Sequence, residues 1–159
     1  MTLLEIEQSL PNGLHDSEVH KITIDYERRK VTVDLAVWVG DMNDPPERRE
    51  AYKEGQLELS GFLFIAMEAP DFSYPFRSNP KLIIDACDTK KLINEKLLNS
   101  LLPDAFVRSF FVNEWNSFIH IAARDAVLAW ENDGAITYRS RCEHFSASET
   151  MTSDKKVTS

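Results

Sequence analysis

Thiol chemistry is nearly absent from this chain, which has two cysteines in 159 residues. Cys87 and Cys142 form no CxxC pair and no zinc-ligand spacing, so both are expected reduced and a disulfide-stapled scaffold is excluded. Glycine is almost as scarce. Its five positions build no GxGxxG, no Walker loop and no GxSxG, which leaves little material for a phosphate-cradling loop or a nucleophile elbow. No apolar run approaches the length of a membrane span, and MTLLEIEQSL has neither a basic n-region nor an apolar h-region. The expectation is therefore a cytoplasmic chain with no membrane partner. Cations are the minority charge: 18 Lys and Arg face 26 Asp and Glu, a formal charge of -8. That balance repels a phosphate backbone, so nucleic acid is excluded as a partner, whereas a basic protein or a cation fits.

What the chain does have is alternation. VHKITIDYERRKVTVDLAVWVG, residues 19–40, carries a two-residue hydrophobic period broken by the polar stretch Glu27 to Lys30, and it predicts a β-hairpin. On this reading His20, Ile22, Ile24 and Tyr26 share the face that Val31, Val33, Leu35, Val37 and Val39 continue. Trp38 falls on the opposite face, where a second layer covers it or the indole is exposed as a contact. Ahead of the hairpin, Thr2 and Glu5 match a capping box. Leu3, Ile6 and Leu10 then stripe a short helix that Pro11 ends, and Asn12-Gly13 makes a turn.

The segment after Gly40 is charged, contains Pro45-Pro46 and predicts an exposed loop; it lacks the glycine and closing glutamate of a calcium loop. Residues 56–68 return to strand, with Gly61 marking a bulge or change of direction. In APDFSYPFRSNP, residues 69–80, three prolines bar regular structure while Phe72, Tyr74 and Phe76 offer either a lid on the core or exposed contact anchors. A short strand over 81–86 leads to a helix over 90–102, capped by Asp88 or Thr89 and striped by Leu92, Ile93, Leu97, Leu98 and Leu101. Residues 106–130 predict two or three more strands, although ARDAVLAWE also suits a helix. Asn132-Asp133-Gly134 is a turn before an edge strand, and residues 146–159 are polar enough to be disordered. The fold expected is one α+β domain over 1–145, with a mainly antiparallel sheet of about six or seven strands and two helices.

One polar concentration invites chemistry. His15, Asp16, Glu18 and His20 put two carboxylates and an imidazole on one side of an extended segment, and His120 would complete a metal site if its strand lay alongside. Against that, HDxExH is no established ligand spacing, and Asp16 is well placed to hold the turn after Gly13. Cys142, Glu143 and His144 lack the spatial approach that an activated thiol needs.

The stretch LPNGLHDSEVHKITIDYERRKVTVDL, with YKEGQLELSG and the later NEWNSFIHIAA, resembles a set of small bacterial proteins of unknown function. These begin with an LHD-type turn leading into a β-hairpin, and some of their relatives are grouped with immunity proteins of toxin systems. The resemblance implies a β-rich α+β domain, bacterial origin and no established enzymatic activity. His15 and Asp16 occupy the matched positions, with no assigned role. Together these readings favour a non-enzymatic binding module without cofactors, contacting a protein partner or a second copy through Phe72, Tyr74, Phe76 and Trp38. The alternative is a metal-binding protein or metal-dependent enzyme using Asp16, Glu18, His20 and His120.

Overall fold

The computed structural model describes residues 2–71, 73, 82–87 and 104–138. Helix α1 spans Leu3–Ser9 and is closed at its start by the reciprocal capping box: the Glu5 amide donates to Thr2 Oγ1 at 3.3 Å, and the Thr2 amide donates to Glu5 Oε2 at 2.6 Å. Two donors that the first turn leaves without intrahelical partners are thereby satisfied. Leu3 and Ile6 are buried, and the extended Leu10 before Pro11 stops the helix.

Strands β1 (Ser17–Asp25) and β2 (Lys30–Trp38) form the antiparallel hairpin, with one departure from simple alternation. Val19 pairs Leu35, but the register then slips so that Lys21 pairs Asp34, Ile22 pairs Val33 and Ile24 pairs Val31. Val19 and Ile22 both pack on the core, an odd spacing that only a bulge at His20 allows. His20 is consequently exposed, which corrects its expected place on the buried face. Tyr26, expected on that same face, is 72% exposed and rests its ring edge on Phe62.

The charged stretch after Gly40 is less loop-like than expected. A short helix α2, Pro46–Arg49, folds there, and β3 begins at Ala51 and runs to Ser60. The remaining strands are β4 (Phe64–Met67), β5 (Leu82–Cys87), β6 (Phe106–Val112), β7 (Ser117–Ala123), β8 (Asp125–Trp130) and β9 (Ile136–Tyr138). Every pairing is antiparallel. The α+β class with a mainly antiparallel sheet is thus the one observed. The nine strands among the described residues exceed the expected count because two long strands each break at a corner.

That corner closes the sheet. The strand path is β4-β7-β6-β5-β1-β2-β3-β8, yet β3 runs on into β4 and β7 into β8, so the two ends of the path are continuations of interior strands. Arg124 donates its amide to Ser60 at 3.1 Å and Leu63 donates to Ala122 at 2.9 Å, so pairing carries through the bend. The strands form a closed, barrel-like circuit, β1, β2, β3/β4, β7/β8, β6, β5 and back to β1. Gly61 turns the corner with φ +61°, and a Cβ there would meet the Arg124 side chain at 2.9 Å.

Inside the circuit lie Val31, Leu35, Val37, Leu57, Leu59 and Val112, none more than 2% exposed. Each such side chain contributes about 1.5–3 kcal/mol of transfer free energy. Two polar features interrupt this interior. Arg108 reaches from β6 to Glu7 of α1, donating from Nε at 3.0 Å and from Nη2 to the other carboxylate oxygen. This forked pair fastens the helix to the sheet, and burial still raises the Glu7 pKa although Arg108 opposes the shift. In a row across four strands, Ser17 pairs Ile84, Ile84 pairs Val112 and Val112 pairs Ser117; both serine hydroxyls are buried without a partner among the described residues.

The helix expected over 90–102, the aromatic segment with Phe72, Tyr74 and Phe76, the Cys142 group and the polar tail all lie outside the described residues. Among the described residues, no helix is long and apolar enough to cross a membrane.

Candidate functional site

Three places on the scaffold bring chemistry-bearing side chains together. The first is a mouth of the circuit. Beyond the packed core, the inward side of β2, β3 and β8 continues into an open groove of about 540 Å³, bounded by α1 and β9. Ile6, Leu10, Val39, Leu128, Trp130 and Ile136 line it. Trp130 lies flat because its partner is Gly55: a Cβ there would stand 3.1 Å from the indole ring and 2.9 Å from the Ala129 carbonyl. Lys53 places its ammonium 5.5 Å from the Trp130 ring centroid, a cation–π contact that occupies the one cation among the described residues of the lining. Trp130, Ile136 and Tyr138 are 36%, 47% and 54% exposed, so the groove opens onto an apolar surface. Two exposed carboxylates, Glu131 and Asp133, follow Trp130 in the turn to β9.

The second place is the outer face of the hairpin. Trp38 is 7% exposed, packed with Ala36 and Tyr52, and donates its indole N–H to the Arg49 carbonyl at 2.7 Å. The layer that covers it is the 41–50 segment, which removes Trp38 from any contact surface. Beside it, the His15 imidazole sits edge-on to the indole with centroids 6.4 Å apart. Asp16 holds a left-handed φ of +53°, a conformation aspartate tolerates, which turns its carboxylate beside the imidazole. His15 Nε2 is 3.4 Å from Asp16 Oδ2, His15 Nδ1 contacts Asp85 Oδ1, and the Asp16 amide donates to that same oxygen at 3.1 Å. Burial raises the Asp16 pKa; His15 opposes the rise, and Asp85 and Glu50 add to it.

The sequence-derived metal set is therefore only partly assembled. Asp16 belongs to a group with His15 and Asp85, whose donor atoms lie within 4.8 Å of one another. Glu18 is buried at 3% exposure in the row Glu18, Ala36, Glu54, and His20 faces Glu54 at 3.9 Å. His120 lies on β7, separated from β1 by β6 and β5, and cannot join them. Sequence reasoning missed Asp85 because it is 69 positions from Asp16 and meets it only through the β1–β5 pairing.

The third place surrounds His120. Ser109 Oγ is 2.8 Å from its Nδ1, Glu68 Oε1 is 3.1 Å from its Nε2, and Phe118 stacks on the ring at 6.0 Å. Serine, histidine and carboxylate stand in a chain, as in a hydrolase. The order of exposure is reversed, however: the serine is fully buried while the carboxylate is 49% exposed. A nucleophile needs access to its substrate, so this chain reads as a satisfied buried polar network that ties β4, β6 and β7 together.

No family model and no curated protein matches the chain. Among solved structures, it is similar to a crystal structure of an uncharacterized protein from Neisseria gonorrhoeae, at 13% identity and a TM-score of 0.32, over 72% of this chain and 90% of that chain.

Proposed function

We propose that the protein is a binding module that holds a segment of a protein partner in the mouth groove beside Trp130. The observation that carries this reading is the junction of an open apolar groove with a partly exposed tryptophan that the fold holds in place. Trp130 is fixed by Gly55 beneath it and Lys53 above it, so little side-chain entropy is lost when a partner packs there. Tryptophan and tyrosine are the side chains on which interface energy concentrates. Glu131 and Asp133 in the turn that follows Trp130, on a chain of formal charge -8, suit an occupant with a bulky apolar residue flanked by Lys or Arg. A basic toxin surface, of the kind an acidic immunity protein would shield, has that character.

Selection from a random peptide library against the full chain tests the reading. Enriched peptides should combine an aromatic or large aliphatic anchor with basic flanks, weaken in high salt, and lose at least tenfold in affinity against Trp130→Ser. Enrichment without that pattern, or binding indifferent to Trp130→Ser, overturns it. A concentration-dependent dimer that Trp130→Ser dissolves also overturns it, by assigning the groove to a second copy.

A further inference from the structure

We infer that the outer edge of β1, from Lys21 to Asp25, is a self-pairing surface that takes the same edge of a second copy of this chain. The edge lies beside the Lys30 end of β2, away from the groove at its Val39 end, so the surface is independent of the partner reading. β2 pairs one side of β1 from Glu18 to Asp25, but β5 pairs the other side only over Ser17, Glu18 and Val19. Beyond the bulge at His20, among the described residues, no strand takes that other side. Burial changes at the same point: Ser17, Glu18 and Val19 are buried, whereas every residue from His20 to Asp25 is exposed or half-buried. Such an edge, with its row of unpaired N–H and C=O groups, is a template for another strand.

The order of residues along the edge specifies which strand fits. Antiparallel pairing about a two-fold axis through Thr23 sets Lys21 opposite Asp25, Ile22 opposite Ile24 and Thr23 opposite itself. Opposite charges, threonine pairs and β-branched pairs are the cross-strand contacts that stabilise a ladder. Ile22 and Ile24 already pack against the core cluster, so their pairing carries that apolar layer across the seam. A slip of one residue sets Lys21 against Ile24 and mixes the two faces, which fixes the register. Lysine on an edge ordinarily keeps strands apart, unless an anion faces it. Lys21 makes no ion pair among the described residues, and its neighbour across the hairpin, Asp34, accepts from Gln56 Nε2 at 2.8 Å. Asp25 stays anionic at the strand's end, since the Arg28 amide, donating at 2.9 Å, holds its carboxyl below the usual range. Lys21 to Asp25 is a short seam beside the roughly 20–30 residues a side of a standard interface, so the dimer is weak and concentration-dependent.

Sedimentation of the full chain from micromolar to millimolar concentration reads the association. The wild type should pass from monomer toward dimer. Lys21→Asp and Asp25→Lys each set like charges across the seam twice, and each should weaken the dimer by roughly tenfold. Mixing the two variants opposes unlike charges at both ends again and should restore wild-type affinity. Asp25 also holds the hairpin turn through Arg28, so a second measurement leaves it intact. Under oxidised glutathione, Thr23→Cys should give a covalent dimer faster than the wild type with its Cys87 and Cys142, because paired Cα atoms about 4.5–5.5 Å apart suit a disulfide. A wild type that stays monomeric, a mixture no stronger than its components, or no gain in crosslinking from Thr23→Cys overturns the assignment. A dimer that Trp130→Ser dissolves overturns it too, by placing the second copy in the groove.

Discussion

Removing the arginine of the Glu7–Arg108 pair tests how the helix is held to the barrel. Glu7 is 6% and Arg108 19% exposed at the side chain, so Arg108→Met strands a carboxylate that water barely reaches. Breaking a buried pair in this way costs about 3–5 kcal/mol. The carboxylate can escape part of that cost by taking a proton. Burial already raises the Glu7 pKa above its ordinary value of 4.5 against the pull of Arg108, and without the arginine it should climb further. For a group whose folded pKa is raised, the associated stability is present below the unfolded pKa and is lost as pH rises through the folded one. The deficit of Arg108→Met should therefore be larger at pH 7 than at pH 5. Urea denaturation at both pH values measures this, and thermal melts at pH 7 should fall by roughly 6–20 °C, at about 2–4 °C per kcal/mol. Glu7→Leu alone should cost less, because the arginine can swing its head toward solvent. The double variant Glu7→Leu/Arg108→Met should return to within about 1 kcal/mol of the wild type. Equal deficits at pH 7 and pH 5 would refute the premise that the pair is shielded from water.

Ser17→Ala and Ser117→Ala should each be neutral or stabilising by up to about 1 kcal/mol, because each removes a buried hydroxyl without a partner; a loss above about 1 kcal/mol in denaturant melts would show that the hydroxyls are satisfied in solution. Trp38→Phe leaves the Arg49 carbonyl without its indole donor and should cost about 1–3 kcal/mol, with faster proteolysis within residues 41–50; unchanged cleavage there would detach the indole from holding that segment. Gly55→Ala drives a Cβ to 2.9 Å from the Ala129 carbonyl and 3.1 Å from the indole, so β8 should shift outward and the fluorescence attributable to Trp130 should redshift. Identical emission and stability in that variant would mean the ring has another place to rest.

Local rules wrote much of the scaffold into the sequence. Thr2 and Glu5 announced the first helix, the valines of β2 its buried face, and Gly61 the corner, because capping geometry, side-chain alternation and a left-handed turn each depend on residues within a few positions. The bulge at His20 was hidden, since a one-residue slip leaves composition unchanged and is chosen only when Val19 and Ile22 must both pack inward. Closure of the strand circuit was hidden too, as it requires β3/β4 to meet β7/β8 from the far half of the chain. The same distance explains the sites. His15 and Asp16 are legible as neighbours, but Asp85 reaches them, and Gly55 reaches Trp130, only through strand pairings that loop entropy and packing arbitrate over the whole molecule. Sequence alone determined which residues can form strands and which carry charge; the tertiary fold decided which of those charges face one another and which aromatic side chains stay open to a partner.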